Sequence, residues 1–145
     1  MDKNKTFTFY KLDGTEIDQL PLFEAGVSAG FPSPADDYMD VAIDLNRELI
    51  RNKTATFCVR VSGTSMRDAG IQDDSILIVD RSLQPENNNI VLAVINGEFT
   101  VKRINTHDDD LYLMPENGDF QPIKITVEMD FRVWGVVTSV INQFL

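Results

Sequence analysis

Residues Asn89–Ile104 read NIVLAVINGEFTVKRI. Two apolar runs flank Asn96-Gly97, the dipeptide preferred where both central residues of a two-residue hairpin turn need positive φ. Folding the segment about that turn pairs position 95 with 98, 93 with 100 and 91 with 102. Val91, Ala93, Ile95, Glu98, Thr100 and Lys102 then share one face. Lys102 falls opposite Val91 and next to Ala93. A lysine among apolar neighbours loses hydration, which disfavours its charged form. Moving its pKa from about 10.4 to about 7 takes roughly 4–5 kcal/mol of differential destabilisation. A neutral amine can accept a proton from a hydroxyl. The alternative is a lysine that snorkels to water from an edge strand.

Outward from the hairpin the chain continues to read as strand. TFCVRVSG forms a strand ending at Gly63, and SILIVDR (Ser75–Arg81) a second after the turn pair Asp73-Asp74. DLYLMP, IKITVE and FRVWGVVTSVI add three more. Several short strands with turn signals between them predict a mainly β fold, a curled sheet or barrel. One short helix is expected in IDLNRELIRN (Ile43–Asn52), where Leu45, Leu49 and Ile50 share a face and Asp44 is the N-cap. Residues 1–14 predict a short strand or hairpin edge, with Asp13-Gly14 as the turn. Residues 15–37 carry prolines at 21, 32 and 34 and no periodicity, which predicts an extended arm. The expected organisation is an arm over residues 1–37 and a β-rich domain over 38–145.

Composition narrows the function. The chain has 145 residues and a net charge of −10, and no basic stripe. A DNA backbone repels such a surface, so direct nucleic-acid binding is not expected. The single cysteine, Cys58, excludes an intrachain disulfide and fits a cytoplasmic location. No apolar run reaches the roughly 18 residues that span a membrane, and the first residues lack the apolar core of a secretory signal. The only histidine, His107, sits in NTHDDDL, a solvated turn. Metal binding by His107 with Asp108 to Asp110 is the alternative reading of this stretch.

VSGTSMRDAG places Ser62, Thr64 and Ser65 on a turn just after a strand, beside glycines. Such a turn has backbone N–H groups that the ladder leaves unused and that can hold an oxyanion. Serines near glycines are also ordinary turn residues. With no usable histidine, a Ser-Lys pair is the hydrolytic route the composition leaves open.

VSGTSM, GIQDDSILIVDRS, NGEFTVKRI, LMPENGDFQPI and WGVV, in that order and spacing, resemble the LexA/UmuD family of self-cleaving Ser-Lys proteins. The resemblance runs from about residue 20 to the end. GFPSPADDYMD and IDLNRELI are similar to the branch that serves an error-prone translesion DNA polymerase in the SOS response to DNA damage. A LexA-type repressor carries a helix-turn-helix domain before its cleavage bond, whereas 29 residues precede Gly30 here.

The resemblance implies a LexA/UmuD-type catalytic domain with an extended N-terminal arm. Ser65 is the implied nucleophile and Lys102 the general base. The implied cleavage bond is Ala29-Gly30, directly before FPSP, in the Ala-Gly form found in LexA. Ala25-Gly26 is a second small-residue pair. Backbone N–H groups near Thr64 and Ser65 are the implied oxyanion donors. Arg103, next to Lys102, should face the other way. The implied partners are a second copy of the chain, a RecA filament on single-stranded DNA that stimulates cleavage, and a UmuC-type catalytic polymerase subunit. No cofactor and no metal is implied. A membrane-anchored signal-peptidase-like enzyme, and a binding module with a vestigial Ser-Lys pair, remain the competing readings.

Overall fold

The computed structural model describes residues 7–12, 20–22 and 41–145. The Ala29-Gly30 and Ala25-Gly26 pairs and the Asp13-Gly14 turn lie outside the described residues. The chain divides into two compact units, Met1–Leu12 with Asn52–Leu145, and Asp13–Arg51. In the smaller unit, β2 (Leu20–Leu22) pairs antiparallel with β3 (Val41–Ile43), Leu20 opposite Ile43. Helix α1 (Leu45–Leu49) follows at once. The Asp44 carboxylate accepts the N–H of Asn46 at 3.0 Å and of Arg47 at 3.4 Å, as an N-cap does. The helix is shorter than Ile43–Asn52 because Ile50 is extended, with φ −116° and ψ 107°.

Among the described residues, the larger unit is one antiparallel sheet of eight strands. Its strands are β1 (Phe7–Lys11), β4 (Thr56–Val61), β5 (Ile76–Asp80), β6 (Ile90–Ile95), β7 (Glu98–His107), β8 (Asp110–Met114), β9 (Ile123–Lys124) and β10 (Phe131–Ile141). Their order across the sheet is β1-β4-β5-β10-β6-β7-β8-β9. The β6–β7 hairpin has the expected register: Ile95 opposite Glu98, Ala93 opposite Thr100, Val91 opposite Lys102. Asn96 (φ 50°) and Gly97 (φ 85°) both take positive φ, the type I′ turn that matches strand twist. Asp108 (φ 50°) and Asp109 (φ 67°) repeat this turn between β7 and β8 without a glycine. IKITVE keeps only Ile123–Lys124 as strand, since the chain turns at Thr126, whose carbonyl accepts the Met129 N–H.

The sheet is open in its hydrogen bonding yet rolled in space. Four strands separate β1 from β7, so a flat sheet would hold them about 24 Å apart. The Phe9 and Phe99 ring centroids are 5.0 Å apart. Two bulges in β10 provide curvature, because an extra residue bends a strand and increases its twist. At the first, the register slips between Val133 and Gly135, which leaves Trp134 as the extra residue. A Cβ on Gly135 would sit 2.6 Å from Val79 Cγ1 and 3.1 Å from the Asp80 carbonyl oxygen, so the close approach of β5 to β10 requires a glycine there.

The β6 run IVLAVI is buried on both faces. Leu92 joins a core with Val59, Leu77, Val79 and Val101. Val91 and Ala93 join a second with Ile104, Leu113 and Val136. Lys102 lies on the strand face of the second core, opposite Val91.

Candidate functional site

Ser65 sits on the loop that leaves β4, and backbone bonds fix that loop from both sides. Gly63 turns it with φ 101° and donates its N–H to Asp73 Oδ1 at 2.8 Å. Met66, 3% exposed, anchors the loop in the core. A 3₁₀ turn, Arg67–Ala69, follows, its first N–H donating to the Thr64 carbonyl at 3.1 Å. From the other side comes PENGD. The Glu116 N–H donates to the Ser65 carbonyl at 2.8 Å, and the Glu116 carbonyl accepts from Asp68 at 2.7 Å. Asn117, 5% exposed, donates Nδ2–H to the Thr64 carbonyl at 2.8 Å. Its Oδ1 accepts the Asp119 N–H at 3.0 Å and the Arg67 guanidinium at 3.4 Å.

The hairpin delivers the amine. Lys102 is 7% exposed. Its Nζ is 3.0 Å from Ser65 Oγ, 2.9 Å from Thr100 Oγ1 and 3.1 Å from the Val101 carbonyl oxygen. A neutral amine has two N–H donors and one lone pair. All three oxygens lie within donor distance of Nζ, and in a neutral amine that donates to Thr100 and Val101 the lone pair would serve the Ser65 hydroxyl. Arg103 faces away from Lys102, as expected of the next residue along a strand. Its Nε bonds Glu116 Oε1 at 2.5 Å and its Nη1 the Asn88 carbonyl at 2.6 Å. Consecutive β7 residues thus hold Ser65 from two directions, Lys102 at its hydroxyl and Arg103 through Glu116.

A groove of about 750 Å³ opens over this pair, walled by Phe7, Ser62, Phe99, Phe120 and Ile123. Beside Ser65 a hollow of about 20 Å³, lined by Val61, Met66, Ile71 and Val101, has room for little more than a methyl group. Among the described residues, the N–H groups of Thr64 and Ser65 donate to no acceptor. The Thr64 carbonyl is held by Asn117 and Arg67. The planar trans peptide therefore fixes the Ser65 N–H in the opposite direction.

The other candidates are not brought to this site. His107 is 76% exposed and lies 3.4 Å from Asp108, itself 87% exposed. Among the described residues, no group of three or more His, Cys, Asp or Glu is placed to hold a metal. Cys58 is half-buried on β4, and burial pushes its thiol pKa up, which keeps it protonated and a poor nucleophile. No helix among the described residues is long and apolar enough to cross a membrane.

Sequence reasoning missed Asn117 and Glu116. Glu116 acts mainly through its backbone, which has no side-chain signature. Asn117 is legible only as a polar residue that proves buried. Replacing Asn117 with Ala leaves the Asp119 N–H and one bond to the Thr64 carbonyl unmade, and is expected to cost about 1–3 kcal/mol, measured by denaturant unfolding.

A family model described as Peptidase S24-like matches residues 21–138. Protein MucA of Salmonella typhimurium is 39% identical over 135 residues, 92% of this chain and 92% of that protein. Protein ImpA of Escherichia coli is 40% identical over 129 residues, 85% of this chain and 83% of that protein. The LexA repressor of Bordetella petrii is 35% identical over 123 residues, 85% of this chain and 54% of the repressor.

Proposed function

The chain belongs to the Peptidase S24-like family, and from that premise we propose that it is a Ser-Lys peptidase that cuts its own Ala29-Gly30 bond. The observation that carries this reading is the 3.0 Å separation of a buried amine, Lys102 Nζ, and a loop hydroxyl, Ser65 Oγ.

In this reading Lys102, neutral, takes the Ser65 proton as Oγ attacks the Ala29 carbonyl carbon. The developing oxyanion accepts hydrogen bonds from the N–H groups of Thr64 and Ser65. The tetrahedral intermediate collapses, the Ala29–Gly30 C–N bond breaks, and Lys102 passes its proton to the leaving Gly30 amine. Water, deprotonated by the same lysine, then hydrolyses the Ser65 ester and frees the Ala29 carboxylate. The methyl-sized hollow beside Ser65 suits Ala29 and excludes a bulky side chain. Pro32 and Pro34 keep the sequence after the bond from becoming helical.

The product, Gly30–Leu145, serves as the accessory subunit of an error-prone translesion DNA polymerase, bound to a UmuC-type catalytic subunit and paired with a second copy of itself. RecA filaments on single-stranded DNA favour the state with the bond in the groove and Lys102 neutral. With a net charge of −10, the chain reaches DNA through these proteins and not by its own surface. Incubation with RecA, ATP and single-stranded DNA, followed by mass spectrometry, is expected to show fragments of 29 and 116 residues. An intact chain, or a cut at another bond, overturns the reading.

A further inference from the structure

The cleavage bond assigned above lies downstream of β1, so a cut there would sever a strand of the main sheet from the rest of that sheet. This inference rests on that reading of the bond.

β1 pairs with β4 through five residues, from Phe7 opposite Val61 to Lys11 opposite Phe57. Alternation puts Phe7 and Phe9 on the inner face. Phe9 meets three rings, Phe99 at 5.0 Å, Phe57 at 5.9 Å and Trp134 at 6.0 Å between centroids. Phe7 meets Phe99 at 6.0 Å and packs against the core of Val59, Val61 and Leu77. Phe99 and Trp134 stand edge to face at 4.9 Å and 88°. On the outer face Tyr10 lies near Arg60 of β4 and helps to hold its guanidinium in the charged form. Phe7 also lines both the groove and the small hollow beside Ser65.

We propose that the β4 edge with its floor of Phe57, Phe99 and Trp134 is a strand-acceptor site for an extended segment bearing aromatic side chains two residues apart, and that its occupant, Phe7–Lys11, stays bound after the arm is cut. Main-chain pairing to an edge with pockets for alternate side chains is the recognition mode that such a site offers. The cleaved protein is then a two-piece complex in which the 29-residue fragment still closes the groove wall through Phe7. Loss of that fragment bares the β4 edge and the aromatic floor, a surface the uncut chain does not present.

The test uses the full chain carrying Ser65→Ala, with the recognition sequence of an exogenous site-specific protease inserted after Ser28. The cut is then independent of self-cleavage, and failure here is distinct from failure of the Ser-Lys reading. After digestion at tens of micromolar, size exclusion is expected to show the N-terminal fragment eluting with the C-terminal product, which begins at the inserted site and carries Ala29–Leu145. Trp134, the only tryptophan, reports the site directly, and its emission should not change on cutting. Adding Phe9→Ala, at a position 40% exposed in the folded chain, should weaken retention about tenfold or more and shift Trp134 emission to the red after the cut. Thr8→Ala, on the outer face, should do neither. A fragment that elutes free of the parent overturns the proposal, as does one retained equally with and without Phe9.

Discussion

Ser65→Ala in the full-length chain is expected to abolish self-cleavage, a fall of about 10³-fold or more, and Lys102→Met to match it. The double variant should be no worse than either single one. In the proposed mechanism the two groups act as one unit. There, without the hydroxyl there is no nucleophile to activate, and without the amine, 3.0 Å from Oγ, the proposed proton acceptor is gone. Fragment yield over time, with RecA filaments present, checks all three. Parental cleavage by Lys102→Met would remove the lysine from the mechanism. Unchanged processing of Ser65→Ala would point to an outside protease.

Lys102→Met also separates chemistry from folding. Lys102 is 7% exposed and its strand position lies opposite Val91, so methionine keeps the apolar stem and puts a thioether and methyl where the amine stood. The exchange leaves the Thr100 hydroxyl and the Val101 carbonyl short of one bond each, at about 1 kcal/mol apiece, and relieves the desolvation of a buried amine. The two effects oppose, so the denaturation midpoint should stay near the parent's. A chain equally stable and unable to cut itself places the loss in the proton transfer.

The hairpin was legible because a two-residue turn leaves no freedom of register. Once Asn96-Gly97 is the turn, Lys102 must oppose Val91, and it does. The same logic found β10, whose span matches FRVWGVVTSVI, and the Asp44 cap. What no periodicity reveals is which strands come together across the chain. Ser65 and Lys102 are 37 positions apart, and motif order joined them before any geometry did. The β2–β3 pairing was illegible for another reason. Three-residue strands show too little alternation to read, and Pro21 suppresses the strand signal in one of them. The roll of the sheet draws on the two β10 bulges, and the local sequence marks the one at Trp134 only by the glycine beside it. The aromatic layer under β1 follows from that roll, so it too became visible only in three dimensions.

Without any filament, self-cleavage is expected to accelerate between pH 7 and pH 10, at about one decade per pH unit while the lysine is mainly an ammonium. The sign follows from the role. Only the neutral amine has a lone pair for the Ser65 proton, and raising the pH increases the neutral fraction until the rate levels off. A group that had to be protonated to act would give the opposite slope. Among the described residues, the Cys58 thiol also bears on this window. Burial pushes the Cys58 thiol pKa up, so the fold favours its protonated form. That contribution to stability is present below about pH 8.5 and is lost as pH rises through the folded pKa. The profile is therefore best taken in a Cys58→Ala background, with circular dichroism at each pH to confirm the fold. Lys102→Arg supplies the control, since a guanidinium does not deprotonate in this range and should remain inactive throughout. A flat profile from pH 7 to 10 in a folded chain would mean that no titrating amine controls the cut. A rising profile that survives Lys102→Arg would assign the titration to another group.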